Sequence, residues 1–209
     1  VKKSMDTILN NQGQTCTALT RLLVPKDELA DVEAEVKSFY EENVVIGDPA
    51  NPNTLVGPMV SANQKKTVLE YIEKGKAEGA KVLVGDKKSA IETGHFVTPT
   101  VFTNVTNDMT IAQEEIFGPV LVIITYDTEE EAIEIANDSI YGLSGAVVGP
   151  TEDAYKVAKQ LRTGNIFVNK SERNPLAPFG GYKQSGLGRE NGLFGVEDYL
   201  ETKAIFIEE

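Results

Sequence analysis

The chain contains 209 residues, of which 41% are hydrophobic, so it can form one large domain around a buried core. Its 20 basic and 32 acidic residues give a net charge of −12, which disfavours nucleic acids as partners, and no apolar run reaches the ~20 residues that span a bilayer. A single cysteine and a single histidine exclude an internal disulfide, leave no Cys/His cluster for zinc and favour a reducing, cytoplasmic location.

Periodicity along the chain predicts alternating helices and strands. Apolar residues at helical spacing, with matching start and stop signals, predict helices over residues 4–11, 26–42, 61–79, 128–137 and 151–164. Runs rich in β-branched residues predict strands over residues 18–24, 81–85, 98–102, 119–126, 143–148, 165–169 and 204–208. Ser61 and Thr128 are each followed three residues later by Gln or Glu, which is the capping-box pattern, and Thr151 is predicted as a third N-cap.

The order of these elements predicts the fold class. Strands that alternate with helices indicate an α/β fold, with an open, mostly parallel twisted sheet and helices on both faces. The continuous apolar run over 119–126 is typical of a strand that is covered on both sides. Ligands of such sheets bind at the carboxyl ends of the strands, so we expect the site at that edge. Without a clear linker or repeat, residues 1–209 are predicted to be one domain.

A polar loop at residues 10–17 contains the only cysteine, Cys16. Gly13 permits a positive φ and lets backbone N–H groups approach a bound group, and Cys16 follows three residues later. Thr15 and Thr17 flank the thiol, which suits a solvated or substrate-lined loop better than a core strand. The alternative is a buried cysteine that acts as a small, inert hydrophobic residue.

A second candidate is the segment QEEIFGP at residues 113–119, just before the strongest predicted strand. One of its carboxylates could accept two hydroxyls of a sugar, as acidic residues do for ribose in dinucleotide sites, with Phe117 as a wall. The alternative is a solvated acidic turn closed by a hydrophobic residue. No G-x-G-x-x-G follows a strand, so the chain shows no phosphate-binding loop of its own.

A third candidate is the glycine-rich segment over residues 178–192, which begins with Pro178 and Phe179. Its glycines indicate close packing of the backbone against another element or a ligand. Phe179 suits the wall of an apolar substrate channel, although ordinary core packing explains it equally well. The single histidine, His95, lies in a predicted surface turn and gives no indication of a catalytic base.

Taken in order, four motifs make the chain resemble the NAD(P)-dependent aldehyde dehydrogenase superfamily over almost its whole length. They are NQGQTC at 11–16, EEIFGPV at 114–120, GNIFVN at 164–169 and PFGGYKQSG at 178–186. The resemblance implies that Cys16 is the catalytic nucleophile, Glu115 the carboxylate that holds the nicotinamide ribose, Phe117 a neighbour of the nicotinamide and Phe179 a wall of the aldehyde channel. Gln64 falls where the family has a residue near the cofactor ribose, but its place in the capping box explains it as well.

The resemblance is to the C-terminal, thiol-bearing catalytic domain alone. Family members carry a dinucleotide-binding domain before the cysteine, with the general base in a Glu-Leu-Gly-Gly-Lys motif and an asparagine of the oxyanion hole, and neither motif occurs here. The chain also does not begin with methionine, which suggests a fragment of a longer protein. The cofactor, NAD or NADP, would therefore bind mostly outside this chain, and the fragment alone is expected to be inactive.

The activity implied for the full-length enzyme is oxidation of a small-molecule aldehyde to a carboxylic acid through a cysteine thiohemiacetal and thioester. The resemblance also implies a homo-oligomer, a dimer or tetramer, when the chain is full length. Two alternatives stay open: a non-catalytic binding or assembly module of the same fold, and a CoA-acylating aldehyde dehydrogenase. The sequence does not reveal which aldehyde is used or whether the cofactor is NAD or NADP.

Overall fold

A computed structural model of the chain describes residues 1–208. The chain divides into two compact units, Val1–Ser139 and Ile140–Glu209. The helices are α1 (Lys2–Leu9), α2 (Leu29–Asn43), α3 (Ala62–Ala77), α4 (Thr110–Gln113), α5 (Glu129–Asn137), α6 (Thr151–Ala158) and α7 (Gly192–Glu197). The strands are β1 (Arg21–Pro25), β2 (Lys81–Val84), β3 (Thr100–Thr103), β4 (Val120–Tyr126), β5 (Ser144–Val147) and β6 (Asn165–Val168).

The first unit contains a four-stranded sheet in the order β1-β4-β3-β2. Strands β1 and β3 run parallel to β4, and β2 is antiparallel to β3. The register pairs Leu22 of β1 with Ile123 of β4. The continuous apolar run predicted as a doubly covered strand is therefore β4, one of the two interior strands.

Side chains of β4 alternate between two hydrophobic clusters, one on each face of the sheet. Val122 packs with Val68 of α3, whereas Ile123 packs with Met5 of α1 and Val36 of α2. Both faces are covered because neither side of β4 carries a polar residue that could face water between Val120 and Ile124. The predicted α/β fold with helices on both faces is thus confirmed for this unit.

The second unit has its own small sheet, in which β5 and β6 are parallel. Helix α6 connects these strands and contacts both, so the three elements form a βαβ unit. The described strands of the two units therefore form a four-stranded and a two-stranded sheet. Periodicity identifies strands but does not identify which strands pair.

Two local predictions for the second unit are wrong. Residues 204–208 form no strand, because a strand needs a partner and these residues have none among the described ones. Thr151 is the first residue of α6 and not its N-cap, which is Pro150. In the first unit, by contrast, the hydroxyls of Ser61 and Thr128 accept the predicted N-cap hydrogen bonds from Gln64 N–H and Glu131 N–H.

The start of β1 is attached to the end of α5 through Arg21. Its guanidinium donates to the carbonyls of Ile135 and Ala136, both at 2.9 Å, and to Asn107 Oδ1 at 2.7 Å. A cation at this position also interacts favourably with the negative end of the helix dipole. Burial lowers the pKa of Arg21, and the nearby Asp138 carboxylate opposes this shift. The chain that enters β1 is therefore fixed in place.

Within residues 1–208 no helix has both the length and the apolar character needed to cross a membrane.

Candidate active site

The segment between α1 and β1 forms a loop, residues 10–17, that we call the thiol loop. Its backbone reverses through three consecutive left-handed residues, Asn11 (φ 49°), Gln12 (φ 56°) and Gly13 (φ 71°). Residues other than glycine adopt this region infrequently, although asparagine tolerates it well. A turn closed by a 3.0 Å hydrogen bond from Ala18 N–H to Thr15 O then presents Cys16, which is exposed. The alternative of a buried cysteine does not hold.

Side-chain amides hold the thiol loop in this conformation. Gln14 Oε1 accepts from Val60 N–H at 2.9 Å, while Asn11 Nδ2 donates to Gln14 O at 2.9 Å. With its amide oriented to suit its neighbours, Gln12 accepts from Gly57 N–H at 3.0 Å and donates to Pro58 O at 3.3 Å. The loop is thus attached to residues 57–60, immediately before α3.

Residues 114–119, which we call the carboxylate loop, lead from α4 into β4. Ile116 is buried in the cluster that contains Val68, whereas Glu115 on one side of it is exposed. On the other side, Phe117 has φ 54° and leaves 38% of its surface exposed. A bulky residue in the left-handed region is strained and persists only where its surroundings enforce it. This geometry holds an aromatic ring and a carboxylate at the surface.

The thiol loop and the carboxylate loop are in direct contact. A Cβ atom on Gly13 would lie 2.1 Å from Gly118 O, and one on Gly118 would lie 2.4 Å from Val68 Cγ2. Only glycine allows approaches as close as these. The thiol loop therefore packs its backbone directly on the carboxylate loop, three residues before Cys16 and three residues after Glu115.

Gln64 connects α3 to the same loop. Its side-chain Nε2 donates to Ile116 O at 3.0 Å and to Phe117 O at 2.9 Å. Its backbone N–H donates to Ser61 Oγ, so Ser61 is an N-cap, but the side chain of Gln64 does not return to close the predicted capping box. The structure thus brings Gln64 to the carboxylate loop, together with Glu115 and Phe117.

The position of these residues in the sheet differs from the expected one. Cys16 precedes β1 and Glu115 precedes β4, and the two strands are parallel. Both residues therefore lie at the amino edge of the parallel strands, whereas the rule for open α/β sheets led us to expect the carboxyl edge. The loops with the most unusual backbone and the exposed functional groups are found before these strands, and the sequence periodicity carried no signal of this reversal.

The second unit contains the remaining predicted site residue, Phe179. Its backbone pairs with Glu190 through two hydrogen bonds, of 2.7 and 2.6 Å, and its ring is half-buried. The guanidinium carbon of Arg173 lies 4.4 Å from the centroid of the ring, which is within the range of a cation–π interaction.

Sequence reasoning missed the residues that hold the site together. Gly57, Pro58 and Val60 lie outside the predicted helices, strands and motifs, yet each exchanges a hydrogen bond with the thiol loop. The density of Gly and Pro in this stretch was the available signal, since it indicated irregular backbone with free N–H and C=O groups. Among residues 1–208, no group of three or more His, Cys, Asp or Glu side chains is arranged to hold a metal ion.

Comparisons with known proteins give a consistent result. The aldehyde dehydrogenase family model matches residues 1–205. A protein of Staphylococcus haemolyticus, provisionally named an aldehyde dehydrogenase, is 48% identical over 98% of this chain and 43% of its own length. The chain thus spans less than half the length of the curated relatives it matches.

Solved structures of aldehyde dehydrogenases have the same fold. The Mycobacterium tuberculosis enzyme in complex with NAD+ is 44% identical, with a TM-score of 0.88 over 95% of this chain and 42% of its own. A cysteine-to-alanine mutant of aldehyde dehydrogenase C from Pseudomonas syringae, in complex with NAD+ and octanal, is 45% identical, with a TM-score of 0.93 over 97% of this chain and 42% of its own.

Proposed function

Because the chain belongs to the aldehyde dehydrogenase family, we propose that it is the thiol-bearing part of an enzyme that oxidises an aldehyde to a carboxylic acid with NAD+ or NADP+. The observation that carries this proposal is the contact between the thiol loop and the carboxylate loop at Gly13 and Gly118. This contact joins the loop that contains the exposed Cys16 to the loop that contains the exposed Glu115 and Phe117. These are the groups needed to attack a carbonyl and to hold a nicotinamide riboside beside it.

Cys16 is the nucleophile in this proposal. Its sulfur forms a bond to the carbonyl carbon of the aldehyde, and the carbonyl oxygen takes up the negative charge of an oxyanion. Within the described part of the chain the amide N–H of Cys16 donates no hydrogen bond, so it is free to stabilise that oxyanion. Loss of hydride from the thiohemiacetal leaves a thioester on Cys16, which water cleaves to the carboxylic acid and the free thiol.

The described residues fit the nicotinamide end of a dinucleotide. The Glu115 side chain makes no hydrogen bond or ion pair with residues 1–208, so its carboxylate can accept both hydroxyls of a ribose. The exposed ring of Phe117 offers a flat apolar surface to the nicotinamide. When bound, the dinucleotide supplies a hydride acceptor. No phosphate-binding loop accompanies these groups, which agrees with a cofactor held mainly by another part of the full-length protein.

The proposal also assigns the wall of the substrate channel, the general base and a second oxyanion donor. Phe179 is proposed to form an apolar wall of the aldehyde channel, and its half-buried ring is available for that role. The general base and a second oxyanion donor are proposed to come from outside this chain. The 209-residue chain alone should therefore form no NADH from any aldehyde.

The test is the Cys16→Ala variant of the full-length protein. We expect oxidation of several aldehydes, measured as NADH formation, to fall by about four orders of magnitude or more, because the proposed nucleophile that forms the thioester is removed. Binding of NAD+, measured by calorimetry, should change little, since Glu115 and Phe117 are intact. As a control, iodoacetamide should modify Cys16 in the wild-type protein.

Three results would contradict the proposal in different ways. Retained turnover in Cys16→Ala would show that another residue is the nucleophile. A wild-type thiol that resists alkylation, with no NADH formed, would favour a binding or assembly module. Turnover that depends on CoA as the acyl acceptor would favour the CoA-acylating reaction over hydrolysis.

A further inference from the structure

Gln64 occupies an unusual position for a residue in the first turn of a helix. Its backbone N–H already has a hydrogen-bond acceptor, because it donates to Ser61 Oγ at 3.1 Å. Its side chain turns away from the helix and donates through one nitrogen to two consecutive carbonyls, those of Ile116 and Phe117. An amide nitrogen has two N–H groups, so both of its donors are used on the carboxylate loop.

The two carbonyls belong to the strained part of that loop. Phe117 has a left-handed backbone (φ 54°), which is unfavourable for a bulky residue and persists only where neighbouring groups enforce it. Turning the backbone at Phe117 directs the Ile116 and Phe117 carbonyls toward one donor group. Loss of the Gln64 donor would leave these two carbonyls unpaired, and the hydrogen bonds that stabilise the left-handed backbone at Phe117 would be lost.

The same short stretch of chain also holds the thiol loop. Val60 donates to Gln14 at 2.9 Å, and Gln64 lies one helical turn further along, at the start of α3. Hydrogen bonds from one rigid element thus reach both loops, which adds to their direct contact at Gly13 and Gly118. The helix start serves as a common support for the two loops.

We propose that Gln64 is a positioning residue, which sets Glu115 and Phe117 for the dinucleotide by holding the backbone between them rather than by donating to the cofactor itself. The inference rests on the proposed function, since it assigns Glu115 and Phe117 to the cofactor. It differs from a direct contact because both donors of Gln64 are already engaged within the protein. The effect of Gln64 on cofactor binding therefore passes through the carboxylate loop.

The decisive variants are Gln64→Ala and Gln64→Glu in the full-length protein. Glutamate keeps the size and the acceptor oxygen of glutamine but has no donor for the two carbonyls. We expect both variants to raise the KM for NAD+ by about tenfold, since one to two hydrogen bonds are lost, with little change in kcat or in the KM for the aldehyde. In a double-mutant cycle, Gln64→Ala and Glu115→Gln should raise this KM by less than the product of their separate effects.

A second readout requires no cofactor. Amide hydrogen exchange in the cofactor-free full-length protein should become faster over residues 114–118 in both Gln64 variants. Asn43→Asp is the matched control, because it also replaces an amide that donates to a backbone carbonyl, that of Phe39 at 2.9 Å, with a carboxylate of equal charge. It lies at the end of α2 and should alter neither the exchange of residues 114–118 nor the KM for NAD+.

The outcomes separate the inference from the proposed function. Unchanged exchange over residues 114–118 in both variants would overturn the positioning role, whatever the enzyme does. So would a Gln64→Glu variant with wild-type KM, because it would indicate a direct contact through the acceptor oxygen. Effects of Gln64→Ala and Glu115→Gln on KM that multiply would also overturn it, because they would show that the two residues act independently. A wild-type protein that forms no NADH, with faster exchange in the variants, would instead refute the proposed function and leave the positioning of the loop established.

Discussion

The two units of the chain bury their apolar residues to very different extents. In Val1–Ser139, side chains from both faces of the sheet form two buried clusters against the helices. In the described part of the second unit, Ala154 is the single hydrophobic residue that is buried, while Leu187, Leu193 and Phe206 are exposed. Both units have the same helix and strand periodicity. The difference shows that apolar residue types in the sequence do not report whether a second layer of structure covers them.

A matched pair of phenylalanines tests this comparison with the largest expected effect. Phe102 is 0% exposed and Phe206 is 94% exposed. In the 209-residue chain, Phe102→Ala should lower the free energy of unfolding by about 3–5 kcal/mol because it leaves a cavity in the first unit. Phe206→Ala should change it by less than about 0.5 kcal/mol. Denaturant titration measures both, and equal losses would show that the second unit has a core of its own.

A pair of glycines gives an intermediate effect. Gly13 has a positive φ and no room for a Cβ beside Gly118 O, whereas a Cβ added to Gly149 in the second unit would meet no atom within 4 Å. Gly13→Ala should therefore cost about 2 kcal/mol or more and lower NADH formation by the full-length protein. Gly149→Ala should stay within about 0.5 kcal/mol of wild type and leave NADH formation unchanged. Full activity in Gly13→Ala would mean that the contact between the loops does not matter for the thiol.

A pair of threonines gives the smallest effect. The sequence predicts Thr128 and Thr151 as equivalent N-caps, but only Thr128 accepts a capping hydrogen bond, from Glu131 N–H at 3.2 Å. Thr128→Ala should lower the free energy of unfolding by about 1 kcal/mol. Thr151, whose hydroxyl accepts a long 3.5 Å hydrogen bond from Asn169, should lose less than about 0.5 kcal/mol on the same change. Thermal unfolding of the two variants measures both losses, and equal losses would show that the two threonines contribute equally as N-caps.

Much of the fold was predictable because its signals are local. The run over β4 indicated burial on both faces, and the capping residues Ser61 and Thr128 marked two helix starts correctly. The wrong predictions concern pairing between segments that are far apart in the sequence. Residues 204–208 have the composition of a strand, but a ladder needs a second strand, and no local property of the sequence reports one.

The same distinction applies to the candidate site. Cys16, Glu115 and Phe117 lie in short motifs, so residue type and spacing indicated them as functional groups. The hydrogen bond from Gln64 to Phe117 joins residues 53 positions apart, and the one from Val60 to Gln14 joins residues 46 positions apart. Such amide contacts with the backbone depend on the folded path of both segments. They leave no periodicity in the sequence, which is why the contact of Gln64 with the carboxylate loop was harder to predict than its place in a helix.

Arg21 gives the thiol an additional property. The chain is held on one side of Cys16 by the hydrogen bond of Gln14 to Val60, and on the other side by the guanidinium of Arg21 at the end of α5. A short stretch with both ends fixed samples few conformations, so little conformational entropy is left to lose when the sulfur forms a covalent bond. The backbone that carries the proposed nucleophile is thus ordered before the reaction, which gives the kind of advantage that an intramolecular reaction has over one between separate molecules.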